Sequence, residues 1–342
     1  MACMKRLFLH SDHTKAGAVF GSHEGWEIPF HYGDKTKEYY AAKESCAISD
    51  LSYRGKLRVT GQDRTSFLHN MLTNDIKALS PGKGCYAALL TDRAKMVSDM
   101  FVFAFEDSYL IDIEPGALEK ARQFIEKYII ADDVAIKDIT SETGHLHIQG
   151  PGAMSMLQEL SSRSHTAILG SPVDLISVDR WGPGFDILCT AEGLRPIWEN
   201  ILRKGIKPIG FEAQEALRIE AGVPRFGMDM DETVLILEAG LTNAISFTKG
   251  CFLGQEIVAR VRAHGRVTRK LVSLALPGTE PVKKGEKIKK NDEEIGEITS
   301  SAFSPSLGKV IALGYVKAER AEPGTTLSAE GREAIVFRPA TS

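Results

Sequence analysis

Three stretches of this sequence set a chemically able side chain among apolar neighbours. In EAQEALRIEAGVP, residues 212–224, a helical reading puts Ala213, Ala216, Leu217 and Glu220 on one face, with Gly222 and Pro224 ending the helix. That face points inward and buries a carboxylate, which must be paired or hydrogen-bonded. It is either an internal ion pair with an arginine or an anchor accepting two N–H donors from an amino-heterocycle. In AKMVSDMFVFAF, residues 94–105, alternation puts Val97, Asp99, Phe101 and Phe103 on one side of a strand. Met96, Met100 and Val102 make the other side apolar too, so both faces are expected to be covered. Asp99 is then either a strand-end carboxylate bonded to backbone amides or a group with a raised pKa suited to proton transfer. In KGCFLGQE, residues 249–256, Cys251 stands two residues from Lys249 and just before a helix that can begin at Gln255. Both neighbours favour thiolate over thiol, and Gly250 and Gly254 permit close backbone approach to a ligand. The plainer alternative is a small buried hydrophobe in a glycine-permitted turn. Within the same helix Glu256 and Arg260 are spaced to pair.

The elements that must carry these groups follow from periodicity. Asp63 is a plausible N-cap for a helix with the stripe Phe67, Leu68, Met71, Leu72 and Ile76. Strands are expected at Cys85–Leu90, Met96–Phe105 and Tyr109–Ile113, the last two joined by the turn Glu106-Asp107-Ser108. A second amphipathic helix carries Leu118, Ala121, Ile125, Tyr128 and Ile129. Strands at His145–Gln149 and Phe185–Cys189 then alternate with helices at Gly152–Leu160 and Arg195–Arg203. Helices and antiparallel strands in this order make an α+β fold, with one subdomain around residues 50–140. After Leu271 the pieces LVSLAL, IGEITS, KVIALGYV and EAIVFRP are separated by turns and have no helical stripe between them. They predict a small β-barrel, dividing the chain into regions 1–265 and 268–342.

With 342 residues, 43% hydrophobic and 25% charged, the chain has the composition of an ordinary globular protein. Its net charge of −3 predicts no general affinity for nucleic acid or anionic membrane. The basic residues gather locally: Arg260, Arg262, Arg266, Arg269, Lys270, Lys283, Lys284, Lys287, Lys289 and Lys290 face only Glu280 and Glu286. That window is either a solvated face or a receiver for an anionic tail such as polyglutamate or for an RNA backbone. The start, MACMKRLFLHSDHTK, predicts neither a signal peptide nor a membrane span. Cys3, Cys46, Cys85, Cys189 and Cys251 are odd in number and scattered. They predict no disulfide framework, no metal site and a reducing, cytoplasmic setting. No serine-hydrolase order, Walker loop or G-x-G-x-x-G is present.

Taken together, the residues resemble the glycine-cleavage T-protein (aminomethyltransferase) superfamily, and within it the folate-binding YgfZ-type branch. The resemblance is carried by GWEIPFHYGDKTKEYYAAKESCAISDLS near the start, ALRIEAGVPRFGMDMDE, and SSAFSPSLGKVIALGYV in the barrel region. KGCFLGQEIVARVRAHG carries the YgfZ-type signature. The resemblance implies a cloverleaf of three subdomains around a central folate pocket, the C-terminal one a barrel. It implies tetrahydrofolate, or a one-carbon derivative, as cofactor. Glu220 matches the carboxylate that holds the pterin, and Asp99 one of two paired aspartates that activate the folate nitrogen. The implied folate-binding set is Glu220, Lys249, Gly250, Gln255 and Arg260, with Asp99 and Cys251 as the groups doing chemistry. Ala94 to Asp99 stands where T-proteins carry GGVIDD, with one acid instead of two. Trp181-Gly182-Pro183-Gly184 replaces their GYTGE turn. The resemblance therefore implies a tetrahydrofolate-binding protein that supports iron–sulfur enzymes, including tRNA-modifying clients. The alternative is an aminomethyltransferase that moves a one-carbon unit from a lipoylated carrier onto tetrahydrofolate.

Overall fold

The computed structural model describes residues 4–163, 167–168, 171–265 and 267–339; Cys3 and Arg266 lie outside the described residues. The chain opens with a three-stranded sheet, in which Trp26–His31 lies between Lys5–Arg6 and Val19–His23. The helix Lys35–Glu44 follows, its N-terminus capped by the Asp34 carboxylate, which accepts from the amides of Thr36 and Lys37 at 3.1 Å each.

Two α+β units come next. The first is a five-stranded antiparallel sheet ordered Gly84–Leu90, Met96–Ala104, Tyr109–Ile113, Gly55–Thr60 and Ala135–Asp138. Its core joins Leu57, Ile111 and Val102 to Phe67, Leu68 and Met71 of the helix Arg64–Met71 and to Ala121 and Ile125 of the helix Leu118–Glu126. The expected stripe is shorter than predicted: Leu72 turns extended (φ −101°, ψ 153°), so Leu72 and Ile76 enter the core from beyond the helix.

The second unit is a six-stranded sheet ordered Ala167–Ile168, Ser171–Ser177, Gly184–Thr190, Thr143–Gln149, Ala47–Asp50 and Lys207–Pro208. Trp198, Ile197 and Ile201 of the amphipathic helix Leu194–Arg203 pack on it. Between the two sheets Phe103, Leu110, Ile139, Ile176, Val178 and Leu188 form an apolar seam. At one end of that seam Phe101 looks into a cavity.

The C-terminal segment closes into a six-stranded barrel, from Arg269–Leu276 to Arg332–Pro339, around Val272, Leu274, Ile288, Ile298, Val310 and Val336. The α+β fold with a terminal barrel is thus present. Among the described residues no helix is long and apolar enough to cross a membrane.

The strand alternation predicted around Asp99 holds from Asp99 onward but not before it: Val97 and Met96 exchange faces, Met96 packing with Ala88 and Leu90 on the Asp99 side. Ser98 pairs with Leu89 and Met96 with Leu90, so Val97 is bulged out of the ladder. Val97 consequently packs with Met100 and Val102 in the helix-side core, while Asp99 and Phe101 line the cavity on the opposite side.

Candidate functional site

The cavity, about 540 Å³ in volume, is walled by both sheets and by the loop that follows the helix Phe211–Ala221. Asp99 stands in its wall. Tyr86, on the neighbouring strand, donates its hydroxyl to Asp99 Oδ2 at 2.6 Å. Asp99 Oδ1 is buried and has no hydrogen-bond partner. Burial, then the nearby Glu114 carboxylate, pushes the Asp99 pKa up to about 6 against the opposing hydrogen bond from Tyr86.

Around it lies a network of buried ions. Arg54 donates through Nε to both oxygens of Asp112 at 2.9 Å and through Nη1 to Glu114. Arg180 reaches Asp112 and Asp186 through Nη2, at 2.7 and 2.6 Å, and its guanidinium lies 4.5 Å over the Phe101 ring. Arg218 bonds Glu215 at 2.8 Å and Asp229 at 2.7 Å. Burial works against ionisation of Asp112, but Arg54 and Arg180 hold its pKa down at about 2. Asp112, Asp186, Glu114 and Glu215 are thus held ionised by their arginine partners, while the Asp99 carboxyl is pushed up toward neutrality.

Gly222 takes the left-handed conformation (φ 73°) that ends the helix Phe211–Ala221, and Val223, Pro224 and Arg225 then turn into the cavity. Arg225 is only 5% exposed. Its Nη2 bonds Glu215 at 2.7 Å, its guanidinium covers the Phe211 ring at 4.7 Å, and its Nη1 has no partner.

Glu220, the expected pterin anchor, does not line this cavity. Its helical face does turn inward, with Ala213, Ala216 and Leu217 packed against Tyr39 and Ala42. There the carboxylate accepts from Tyr39 Oη and Lys43 Nζ at 2.5 Å each and from Ser304 Oγ at 2.7 Å. It ties the helices Lys35–Glu44 and Phe211–Ala221 to the barrel strand Glu293–Ser304. The paired cation is Lys43, where the ion-pair alternative expected an arginine.

The KGCFLGQE segment also lies outside the cavity lining. Lys249 does not serve the thiol: its ammonium is taken by the carbonyls of His69, Leu72 (2.6 Å) and Asn74 (3.0 Å), at the end of the helix Arg64–Met71. Those carbonyls lack helical partners and draw the cation. Gly254 sits at φ 82° against Thr91, where a Cβ would come within 2.6 Å of the carbonyl oxygen, so glycine is needed there for packing. Gly250 is exposed and has ordinary space around it. Gln255 begins the helix Gln255–His264 and accepts from the Phe252 amide at 3.3 Å. Arg260 pairs with Glu256 at 2.9 Å on its outer side. Cys251 is exposed in the preceding coil. Burial pushes the other described thiols up, Cys46 to about 11 and Cys85 and Cys189 to about 12.

Much of the basic window is spent on local partners. Arg262 covers Phe247 at 3.8 Å, and Arg269 bonds Glu238 at 3.2 Å. Lys284 donates to the Met228 carbonyl at 2.7 Å, Lys287 to Glu297 at 3.1 Å and Lys290 to the Thr326 carbonyl at 2.7 Å. None of the window's described residues lines the cavity. Among the described residues no cluster of His, Cys, Asp or Glu is arranged to hold a metal ion. Of the site residues drawn from the sequence, Asp99 alone lines the cavity; Tyr86, Arg180 and Arg225 were missed. For Arg225 the available signal was its place directly after the Gly222–Pro224 helix stop.

Comparison with known proteins agrees with this architecture. Residues 9–172 and 182–249 match the GCVT N-terminal domain, and residues 269–340 match the glycine cleavage T-protein C-terminal barrel domain. An aminomethyltransferase of Thermotoga petrophila is 34% identical over 329 residues, spanning 92% of this chain and 90% of that protein. One from Desulfitobacterium hafniense is 30% identical over 343 residues, spanning 96% and 94%. The crystal structure of the glycine cleavage system aminomethyltransferase T from Bartonella henselae superposes with a TM-score of 0.88 at 24% identity, covering 98% of this chain and 97% of that one. By its domains and its relatives, the chain belongs to the glycine cleavage T-protein family.

Proposed function

We propose that this chain is a folate-dependent aminomethyltransferase, moving a one-carbon unit from a lipoylated carrier onto tetrahydrofolate with release of ammonia and of the carrier's thiol, and with Asp99 handling the proton. The observation that carries the reading is Asp99 itself. One oxygen is fixed by Tyr86, the other is unpartnered in a cavity of about 540 Å³, and the pKa is pushed up to about 6. When bound, tetrahydrofolate supplies the nucleophilic amine that accepts the carbon. Asp99 Oδ1 is the free acceptor for an N–H proton, and a base with a pKa close to the working pH transfers protons efficiently. Phe101 and Trp181 line the cavity with aromatic surface that a planar heterocycle can pack against, and Arg225 offers a free donor. The relatives named aminomethyltransferases support the same activity. The test is formation of methylenetetrahydrofolate from tetrahydrofolate and an aminomethyl-loaded lipoyl carrier. Turnover is expected in the wild type. Its absence, with a folded protein and an active control enzyme, would sink the reading.

A second reading, folate-linked support of iron–sulfur enzymes including tRNA-modifying ones, is favoured by one observation: Cys251 is exposed within KGCFLGQE. Under it, Cys251→Ser fails to restore such enzymes in a cell lacking this protein. Full restoration by the serine variant would remove the reading.

A further inference from the structure

Two of the cavity's buried side-chain atoms lack a hydrogen-bond partner: Asp99 Oδ1, an acceptor, and Arg225 Nη1, a donor. Buried donors are rarely left unpaired, because the lost solvation is not recovered. Other cations around the cavity have bonded partners: Arg54 on Asp112 and Glu114, Arg180 on Asp112 and Asp186, Arg218 on Glu215 and Asp229.

What Arg225 can accept is set by the charge around it. Its Nη2 is 2.7 Å from Glu215 Oε1 and its Nε 3.8 Å from Glu114 Oε1. Burial alone would protonate these carboxyls, but Arg54 and Arg225 hold Glu114, and Arg218 and Arg225 hold Glu215, in the ionised form. The guanidinium is thus neutralised on its protein side and fixed on the Phe211 ring. With Asp99 also in the wall, the cavity has no surplus positive charge to draw a free phosphate or carboxylate. Arg225 Nη1 acts as a directional donor suited to a neutral carbonyl-type oxygen.

We propose that Arg225 is a specificity-determining residue that recognises the ring oxo oxygen of a reduced pterin. The inference rests on the folate reading above. A reduced pterin carries a single ring oxo acceptor among several N–H donors. That pattern is complementary to one unpartnered donor set among carboxylates. Replacing the oxo group by an amino group would set donor against donor and leave Nη1 unpaired.

The test is calorimetric titration of tetrahydrofolate and of its analogue bearing an amino group in place of the ring oxo oxygen. The wild type is expected to prefer the oxo form by on the order of 10- to 100-fold, the range for an unsatisfied charged hydrogen bond. Arg225→Lys keeps a cation for Glu215 and Glu114 but loses the fork. It is expected to fold, to bind tetrahydrofolate more weakly and to bring the ratio close to one. A generally loosened site would weaken both ligands together and leave the ratio unchanged, which would overturn the assignment. A wild type that binds tetrahydrofolate without discriminating overturns it too, and needs no variant. A wild type that binds neither compound overturns the folate reading itself, and this inference with it.

Discussion

Tyr86 and Asp99 lie on adjacent antiparallel strands, one diagonal step apart, and are joined by a 2.6 Å hydrogen bond at the cavity wall. That bond favours the ionised carboxylate, opposing the burial and the Glu114 charge that favour the neutral one. Removing it in Tyr86→Phe is expected to raise the Asp99 pKa by about one unit, the worth of one such bond. The carboxyl carbon shift of Asp99, followed by NMR against pH, reads this directly. An unchanged or lower midpoint would mean that the phenol does not tune the acid.

The same residue is expected to cost stability. Its folded-state pKa of about 6 stands above the ordinary 3.8, so the folded protein binds this proton more tightly than the unfolded chain. Its contribution is most favourable below pH 3.8, declines as the pH rises through the window to about 6, and is unfavourable above it. Asp99→Asn is therefore expected to be more stable than the wild type at neutral pH, by on the order of 2–3 kcal/mol, with the advantage fading toward pH 4. Urea unfolding at a series of pH values checks the slope. A variant equally stabilised at all pH values would point to packing.

Glu220 is expected to matter for stability and not for the ligand. Glu220→Ala strips the shared acceptor from Tyr39, Lys43 and Ser304 and loosens the joint between helix pair and barrel. A loss of about 1–3 kcal/mol is expected, with tetrahydrofolate affinity of the folded protein within about threefold of wild type. A selective loss of affinity without a fall in melting temperature would restore Glu220 as the anchor.

Cys251 is expected to react first. It is exposed, whereas Cys46 and Cys189 are buried, Cys85 is partly so, and all three thiols are pushed up to about 11 or 12. Pulse alkylation near neutral pH, read by peptide mass spectrometry, is expected to label Cys251 well ahead of these three. Since Cys251 does not line the cavity, tetrahydrofolate is expected to leave the rate unchanged. Ligand protection would bring the thiol back to the site.

What the sequence could reveal was what it encodes locally. Tyr109–Ile113 was read to the residue, because a turn and an apolar run bound it. The barrel was legible from short strands without a helical stripe, and Asp99 from a charge inside an apolar strand. The Val97 bulge left no mark, since Val97 is apolar on either face. Glu220 was read correctly as inward-facing, but its partners Tyr39 and Ser304 stand 181 and 84 residues away. Lys249 was assigned to its neighbour in sequence when the open carbonyls of a distant helix end had the stronger claim. Arg180 is a polar residue in a loop, indistinguishable from a solvated one until Asp186 is folded beside it; Arg225 had only its place after the Gly222–Pro224 helix stop to mark it, and its partner Glu215 lies on the preceding helix.

The role proposed for Asp99 is to move the proton during one-carbon transfer to tetrahydrofolate. The most direct test is the pH dependence of single-turnover methylenetetrahydrofolate formation from an aminomethyl-loaded lipoyl carrier, in the wild type and Asp99→Asn. The wild-type rate is expected to rise with pH through an inflection near 6, as Asp99 loses its proton. Asp99→Asn, still binding tetrahydrofolate, is expected to be about 10²- to 10⁴-fold slower and to lack that inflection. A wild-type profile flat between pH 5 and 8, or an asparagine variant that keeps both the rate and the inflection, would contradict the claim.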